Sequence, residues 1–600
     1  MKLTVIFPTN FIQLLVVVAG IILTLSFTCT EIYASAPLQK ALEAIDEGRN
    51  YEALRLLSQY RPSEKELPRY YYLKGRALGG TKRYHKAIGY LNRAYITAKD
   101  KTLREHALFA RGVAYLMSGF HYEAASNFRL FINLYPESTL IQKAYLNYAQ
   151  ASLKTGNYVE ALAYFRKVSN TPEAVFGKAE VFQRLGLFSA AHELYNNGLI
   201  SYKNYIEKHP DVLYYYAENL RIIGKTEQAK SLFYLLVDTY LRERAYLGLG
   251  LIEYTRHNLE SAGMYFKKAS ESPDRVIRRQ ALLNLGKTLI AADQKDRAIK
   301  YLKVLRRDYP YTPESGKALL LLAGLMRERK DYLQAEKYLR EILFGKKPGK
   351  EALNELEALI NASINNNIKA FKHIWNNSGQ WLYSPSREET LLNVAEALRK
   401  SGGNFIRVYT YLIKHGSKKI RAKSLSQLAI FFSRLPDVKR VEKLVTSLEK
   451  LKPGGDEILR ARAWLYYLKG KSNLAYSMIT RISHPVNDDI DLLWRVRKGA
   501  PSVTAFLKNY RSMSRATGDP IRYTDVGDLL TDKGMKKKAV KYFNLALKVN
   551  PDNARAMFML VKIKGSASLM QRLSEKKGLY GSMAKVMIKE QEIKKHILEM

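Results

Sequence analysis

The sequence predicts an all-α fold, a solenoid of antiparallel helix pairs, from three observations. A small residue recurs every 30 to 38 positions, a second small residue follows it by twelve, and a large side chain, apolar or Tyr, follows four later. Periods of this length mark stacked-repeat architectures. The pattern runs Ala41/Ala53/Leu57, Gly75/Ala87/Leu91, Gly112/Ala124/Phe128, Ala149/Ala161/Phe165, Ala179/Ala191/Tyr195, Ala217/Ala229/Phe233, Gly250/Ala262/Phe266, Gly286/Ala298/Leu302 and Ala323/Ala335/Leu339. Two helices cross closely only where neither carries a bulky side chain, so two small residues at fixed separation specify a helix pair. The large residue one turn later is expected to fill the gap to the next pair.

The elements follow in order. Residues 1–34 read as a signal peptide or N-terminal membrane anchor: Lys2 precedes an apolar run from Phe11 to Phe27, and the small residues of "IYASA" come next. Cleavage after Ala34 or Ala36 fits, with Pro37 against the second site. An uncleaved anchor is the alternative, because about 17 apolar residues are at the lower limit for crossing a bilayer. Lipidation at Cys29 is a third reading, although "SFTC" is a poor lipoprotein signal. All three export the chain and place it in the periplasm or on a membrane facing it. Cys29 is the single cysteine, so the mature fold is expected to hold no disulfide.

Residues 38–348 read as about nine helix pairs. Their connections are the turn-forming segments "GGTKRY", "KTGNY", "TRHN", "AADQKD" and "RERKDY", and Pro136, Pro210, Pro310 and Pro348 punctuate the exits. The asparagine-rich stretch with Trp375 and Trp381 places an irregular join at 349–389. Residues 390–515 keep helical apolar spacing but mostly lack the small residues, apart from a weak copy at Ala463/Ala475/Ile479, and read as degenerate helical repeats. A clear copy, Gly527/Ala539/Phe543 with Pro551, defines a repeat at 516–560, and 561–600 reads as a basic helical tail that caps the array.

The small residue, the turn, A-x3-F and the closing proline together resemble the tetratricopeptide repeat family. That resemblance implies a right-handed superhelical solenoid whose first helices line an inner, concave surface, where a protein partner is held. Tyrosine is abundant, and the runs "RYYYLKG" and "VLYYYAENL" make Tyr71, Tyr72, Tyr215 and Tyr216 the candidate groove residues. The junctions "NLYPES" and "DYPYTPES" resemble those of exported bacterial envelope members. They imply a scaffold in cell-envelope assembly or polysaccharide export.

The formal net charge is +42, and residues 401–600 carry 40 Lys and Arg against 17 Asp and Glu. Such a field attracts polyanions. For an exported chain these are an anionic polysaccharide or a lipid surface rather than nucleic acid, and Lys536, Lys537, Lys538 and Lys541 are the candidate polyanion-binding residues.

Enzymatic motifs fail on inspection. "HELYN" at His192 has Asn196 where a zinc-protease helix needs its second His. "GKT" at Gly224 and Gly286 and "GKS" at Gly470 lack the phosphate-loop glycine five residues earlier, where Asn219, Ala281 and Leu465 stand. "GSASLMQRLS" superficially resembles a segment of lytic transglycosylases, yet no glutamate occurs between Glu457 and Glu575 to act as general acid. No catalytic, metal-ligating or cofactor-binding residue is assigned, and the expected function is a non-enzymatic scaffold.

Overall fold

The computed structural model describes residues 35–344, 349–435, 437–451, 454–518 and 520–599. The N-terminal apolar run, Cys29 and Pro348 lie outside the described residues. Among the described residues there are 34 α-helices, three 3-10 turns and no β-strand, which is the all-α architecture of helix pairs expected from the repeats. The chain divides into two compact units, residues up to Leu325 and residues from Met326.

In the first unit the pairs are regular: Leu67–Gly80 with Tyr84–Thr97, Lys101–Met117 with His121–Leu134, Ile141–Lys154 with Tyr158–Phe165, Arg242–Thr255 with Leu259–Ala269, and Arg275–Ala291 with Lys295–Asp308. The first helix of several pairs begins on a side-chain cap. Asp100 accepts from Leu103 N at 2.6 Å and Asp274 from Val276 N at 2.8 Å, each satisfying an otherwise orphaned amide.

The small residues sit where the helices touch. A Cβ added to Gly250 would lie 2.6 Å from the Phe266 ring, and one added to Gly286 would lie 2.5 Å from Leu302. The large residue therefore packs on the small residue of its own pair. It also reaches the following pair, as expected: the Phe165 ring lies against Gly177 and the Phe233 ring against Gly248. Ala161, Phe165, Ala229, Phe233, Ala262 and Phe266 are fully buried.

A second regularity is invisible in the small-residue pattern. Seven residues after every leading small residue, the backbone adopts positive φ. Glycine occupies that place at 48, 119, 156, 186, 224, 470 and 534, but Lys82, His257, Asp293 and Lys330 occupy it in the other repeats, with φ of 55 to 62°. Each ends its helix with the same long-range cap, in which the next residue's amide reaches back five positions: Arg83 N to Leu78 O at 2.8 Å, Asn258 N to Glu253 O at 2.9 Å, Met535 N to Leu530 O at 2.8 Å. Within "GGTKRY", read above as turn, Gly79 and Gly80 are still helical and the chain turns at Thr81 and Lys82.

The second unit keeps the pairing. Residues 349–389, expected as an irregular join, hold Lys350–Asn366 and Ile368–Ser378 before two 3-10 turns, and Ser378 there donates to the buried Glu336 at 2.6 Å. Pairs continue as Glu388–Ser401 with Ile406–His415, Lys418–Arg434 with Val438–Lys450, Asp456–Leu468 with Ser472–Ile479, and Tyr523–Asp532 with Lys536–Val549. The C-terminal stretch forms Ala554–Lys564, Ala567–Ser574 and Leu579–Glu599.

Ion pairs link successive first helices: Asp46 with Arg76 at 2.9 Å, Arg279 with Glu314 at 3.0 Å, Arg327 with Glu355 at 2.7 Å, and Arg522 with Asp491 at 2.6 Å. Arg460 and Asp489 form the buried member of the series at 2.7 Å. Arg460 also donates to His484 O, and Asp489 accepts from Val486 N, so neither charge is left uncompensated.

Two outcomes follow for equilibrium denaturation of the folded chain. Gly250→Leu overpacks the Phe266 contact and is expected to destabilise by about 1–3 kcal/mol. Replacement of His257 or Lys330 by Gly relieves a left-handed conformation that costs a side-chain-bearing residue ~1–2 kcal/mol, against glycine's extra entropy of ~0.5–1 kcal/mol, and is expected to stabilise by up to about 1 kcal/mol.

Candidate binding surface

Leu67–Gly80 and Lys101–Met117 are the first helices of adjacent pairs. Between them lies a cavity of about 70 Å³, walled by Tyr72, Gly75, Gly79, Tyr84, Phe109 and Met117, with Arg76 and His106 as its polar members. It exists because Gly79 has no side chain: a Cβ there would meet nothing within 4 Å, whereas one on Gly80 would strike the Asn50 side chain. A second, polar cavity of about 360 Å³ lies among Tyr122, Ser126, Arg129, Thr155, Asn157 and Glu160. There Arg129 and Glu160 already pair at 3.1 Å, so its charges satisfy one another.

The candidate tyrosines separate. Tyr71 is half-buried, with its ring 6.2 Å from Tyr90 and Arg93 lying 5.9 Å over it. Tyr215 is half-buried with Arg184 5.9 Å over its ring. Tyr72 is 5 % exposed and serves as cavity wall beneath Arg76. Tyr216 is a correction: it is 4 % exposed, stacks on Tyr195 at 5.2 Å and bonds His192 Nδ1 at 2.9 Å through its hydroxyl, so it belongs to the core. Neighbouring residues on a helix point about 100° apart, so a run of adjacent tyrosines cannot all face one groove. The four candidate lysines, Lys536, Lys537, Lys538 and Lys541, are all exposed on Lys536–Val549, and none forms an ion pair with a described residue.

A cluster that the sequence did not signal spans three consecutive first helices. Glu180 is 9 % exposed and lies 3.3 Å from Arg184 and 3.7 Å from Lys154. Beside it, Asp211 stands in the first turn of Pro210–Ile222. Its Oδ1 is shielded from solvent and has no hydrogen-bond partner. Burial raises the Asp211 carboxyl, against the pull of His209, of a hydrogen bond from its own backbone amide and of Lys154. Tyr215 is raised first by burial and then by Glu180. Tyr240, at the rim, is pushed up to about 12 by burial of its hydroxyl and then by Asp211. His209, under the stacked ring of Tyr205 at 4.0 Å, is lowered by burial and is therefore a poor counter-charge at neutral pH. Among the described residues no group of three His, Cys, Asp or Glu side chains is placed to hold a metal ion, and no helix is long and apolar enough to cross a membrane.

Comparison with known proteins places the repeats in a class. One tetratricopeptide repeat model matches residues 68–95, 142–170 and 522–553, and a second matches 280–310. These four segments, built around Gly75, Ala149, Gly527 and Gly286, are tetratricopeptide repeats. A search of curated proteins returns no match. Among solved structures, a tetratricopeptide repeat protein from Parabacteroides merdae is similar at 17 % identity and TM-score 0.34, covering 42 % of this chain and 97 % of that one. Human IFIT1, solved as a dimer with PPP-AAAA, is similar at 15 % identity and TM-score 0.37, over 64 % of this chain and 94 % of that one. The apo form of the quorum sensor NprR from B. thuringiensis is similar at 12 % identity and TM-score 0.35, over 56 % and 94 %.

Asp211→Asn tests the state of this cluster. A carboxyl raised in the folded state contributes stability below its unfolded pKa and loses it as pH rises through the folded value. The substitution is expected to raise the melting temperature at pH 7, with the gain over wild type vanishing below about pH 4, the ordinary aspartate range.

Proposed function

We propose that the chain is a non-enzymatic, exported scaffold that holds a protein partner on the exposed faces of its first helices, within a cell-envelope assembly or polysaccharide-export machine. The observation that carries the reading is the apolar cavity between Leu67–Gly80 and Lys101–Met117. It is a recess open to an incoming side chain, on an array of tetratricopeptide repeats. Recesses of this kind accept the buried anchors that dominate protein–protein affinity. The charged N-terminus followed by an apolar run and small residues supports export.

A second reading has its own observation. Lys536, Lys537, Lys538 and Lys541 project from one end of a helix without acidic partners among the described residues. They suit an anionic polysaccharide or membrane surface.

Affinity capture from crosslinked cell envelopes, with bound protein and sugar both analysed, decides between them. Recovery of specific proteins that survives 1 M salt, where the screening length is about 3 Å, is expected. Gly79→Leu fills the cavity without meeting backbone and is expected to cut that recovery at least tenfold while the chain stays folded. Capture that yields only polysaccharide or lipid, and is lost on substituting the four lysines with glutamine, would overturn the scaffold reading.

A further inference from the structure

One junction of the first unit departs from the packing of its neighbours. At other junctions the residue after the second small residue meets the next first helix, at the place three residues beyond that helix's leading small residue. Leu54 and Leu78 fill these two places within one apolar cluster, and Lys230 and Glu253 fill them with an ion pair at 2.6 Å. Between His121–Leu134 and Ile141–Lys154 the same places hold Ala125 and Ser152, and both line the polar cavity of about 360 Å³. Two short side chains thus open a space that longer ones close elsewhere. Its size is within the range of roughly 300–1,000 Å³ typical of small-ligand pockets.

The polar groups around this space are positioned in advance. Tyr148 is fully buried, and its hydroxyl accepts from Arg129 Nε at 2.9 Å and Nη2 at 2.8 Å while donating to Glu160. Arg129 Nη2 also reaches Glu160 at 3.1 Å, and Asn157 Nδ2 donates to the same carboxylate at 2.5 Å. Guanidinium and carboxylate cancel one another, so the cavity does not select a charged ligand. It offers instead a mixture of donors and acceptors: the Nη1 protons of Arg129, the Oδ1 of Asn157, and the hydroxyl of Thr155, which donates to Ser152 O at 3.0 Å and keeps its lone pairs. Tyr122 adds an aromatic wall with 73 % of its surface exposed.

We propose that this junction is a binding site for a neutral saccharide, one or two pyranose rings of a glycan. A hydroxyl group is donor and acceptor at once, which is what the mixed set around Arg129 and Asn157 requires. A pyranose also carries a patch of C–H bonds on one face, and the negative face of the Tyr122 ring attracts it. A polar peptide segment offers the hydrogen bonds but not that apolar ring face. The site shares no lining residue with the apolar recess or with the four C-terminal lysines, so it stands whether or not a protein partner is held elsewhere on the chain.

The test is binding of the full chain to an array of neutral and acidic glycans, repeated on Ala125→Leu and Tyr122→Ala. The wild type is expected to retain neutral glycans equally at low and high salt. Ala125→Leu places here the residue found at 54 and 162, and is expected to melt no lower than wild type while losing at least tenfold in glycan affinity. Tyr122→Ala removes an exposed ring, leaves folding alone, and is expected to weaken binding several-fold, so it carries the test even if Ala125→Leu misfolds. The site is overturned if the wild type binds no neutral glycan, if it binds only acidic glycans and releases them in salt, or if Tyr122→Ala binds as the wild type does. Calorimetric titration with acetyl-Gly-Asn-Gly-amide covers the remaining chemistry: affinity equal to that of the best glycan would assign the cavity to a peptide and overturn the saccharide.

Discussion

The contact between a ring and a missing side chain holds the repeats together. Phe266 lies on Gly250, and the equivalent ring Phe233 lies on Gly248 of the pair that follows it. One side chain thereby closes its own helix pair and opens the register for the next, so pairing and stacking are a single interaction rather than two. Each repeat buries its apolar face only against neighbours, which lets the chain grow past the length at which one globular core stops. Ala161, Ala229 and Ala262 complete the same contact from the second helix and are fully buried. Where this contact recurs, the first helix is held against its own partner and the following pair, and the cavity opens at such a junction, with Gly75 and Leu91 in its wall.

Much of this was legible because the contact constrains residue size at three fixed offsets. Gly75, Gly286 and Gly527 each meet the large residue predicted for them. The turn was harder to read. Its backbone demands a left-handed residue at one place in every repeat, but Lys82, His257, Asp293 and Lys330 meet the demand without glycine, so composition hides a rule that geometry keeps. The same limit explains Gly79 and Gly80: a glycine pair reads as a turn, yet here both continue the helix, and one of them leaves the cavity. Tyr216 shows the converse error, since abundance of a residue type says nothing about which of three neighbours faces outward.

The Asp211 cluster was illegible for a different reason. Its parts lie on Ile141–Lys154, Pro172–Arg184 and Pro210–Ile222, and no spacing in the sequence announces that Lys154, Glu180 and Asp211 meet. Only the interposed helix Lys203–Lys208 marks the place, and in the sequence it is a modest lengthening of one period among several unequal ones.

The charge of the chain takes on a different meaning once the pairs are placed. Acidic residues are the scarce kind, 56 against 98 Lys and Arg, and many of them are spent between successive first helices, as in Asp46 with Arg76, Glu355 with Arg327, Asp489 with Arg460 and Asp491 with Arg522. The exposed pairs contribute little to stability individually, but each fixes which first helix meets which. The basic surplus is then what remains on faces that no junction uses, Lys536 to Lys541 among them. In a chain so rich in cations an aspartate beside basic residues would ordinarily be claimed by one of them. Asp211 follows this rule: burial raises its carboxyl, while His209, its own amide and Lys154 draw it back.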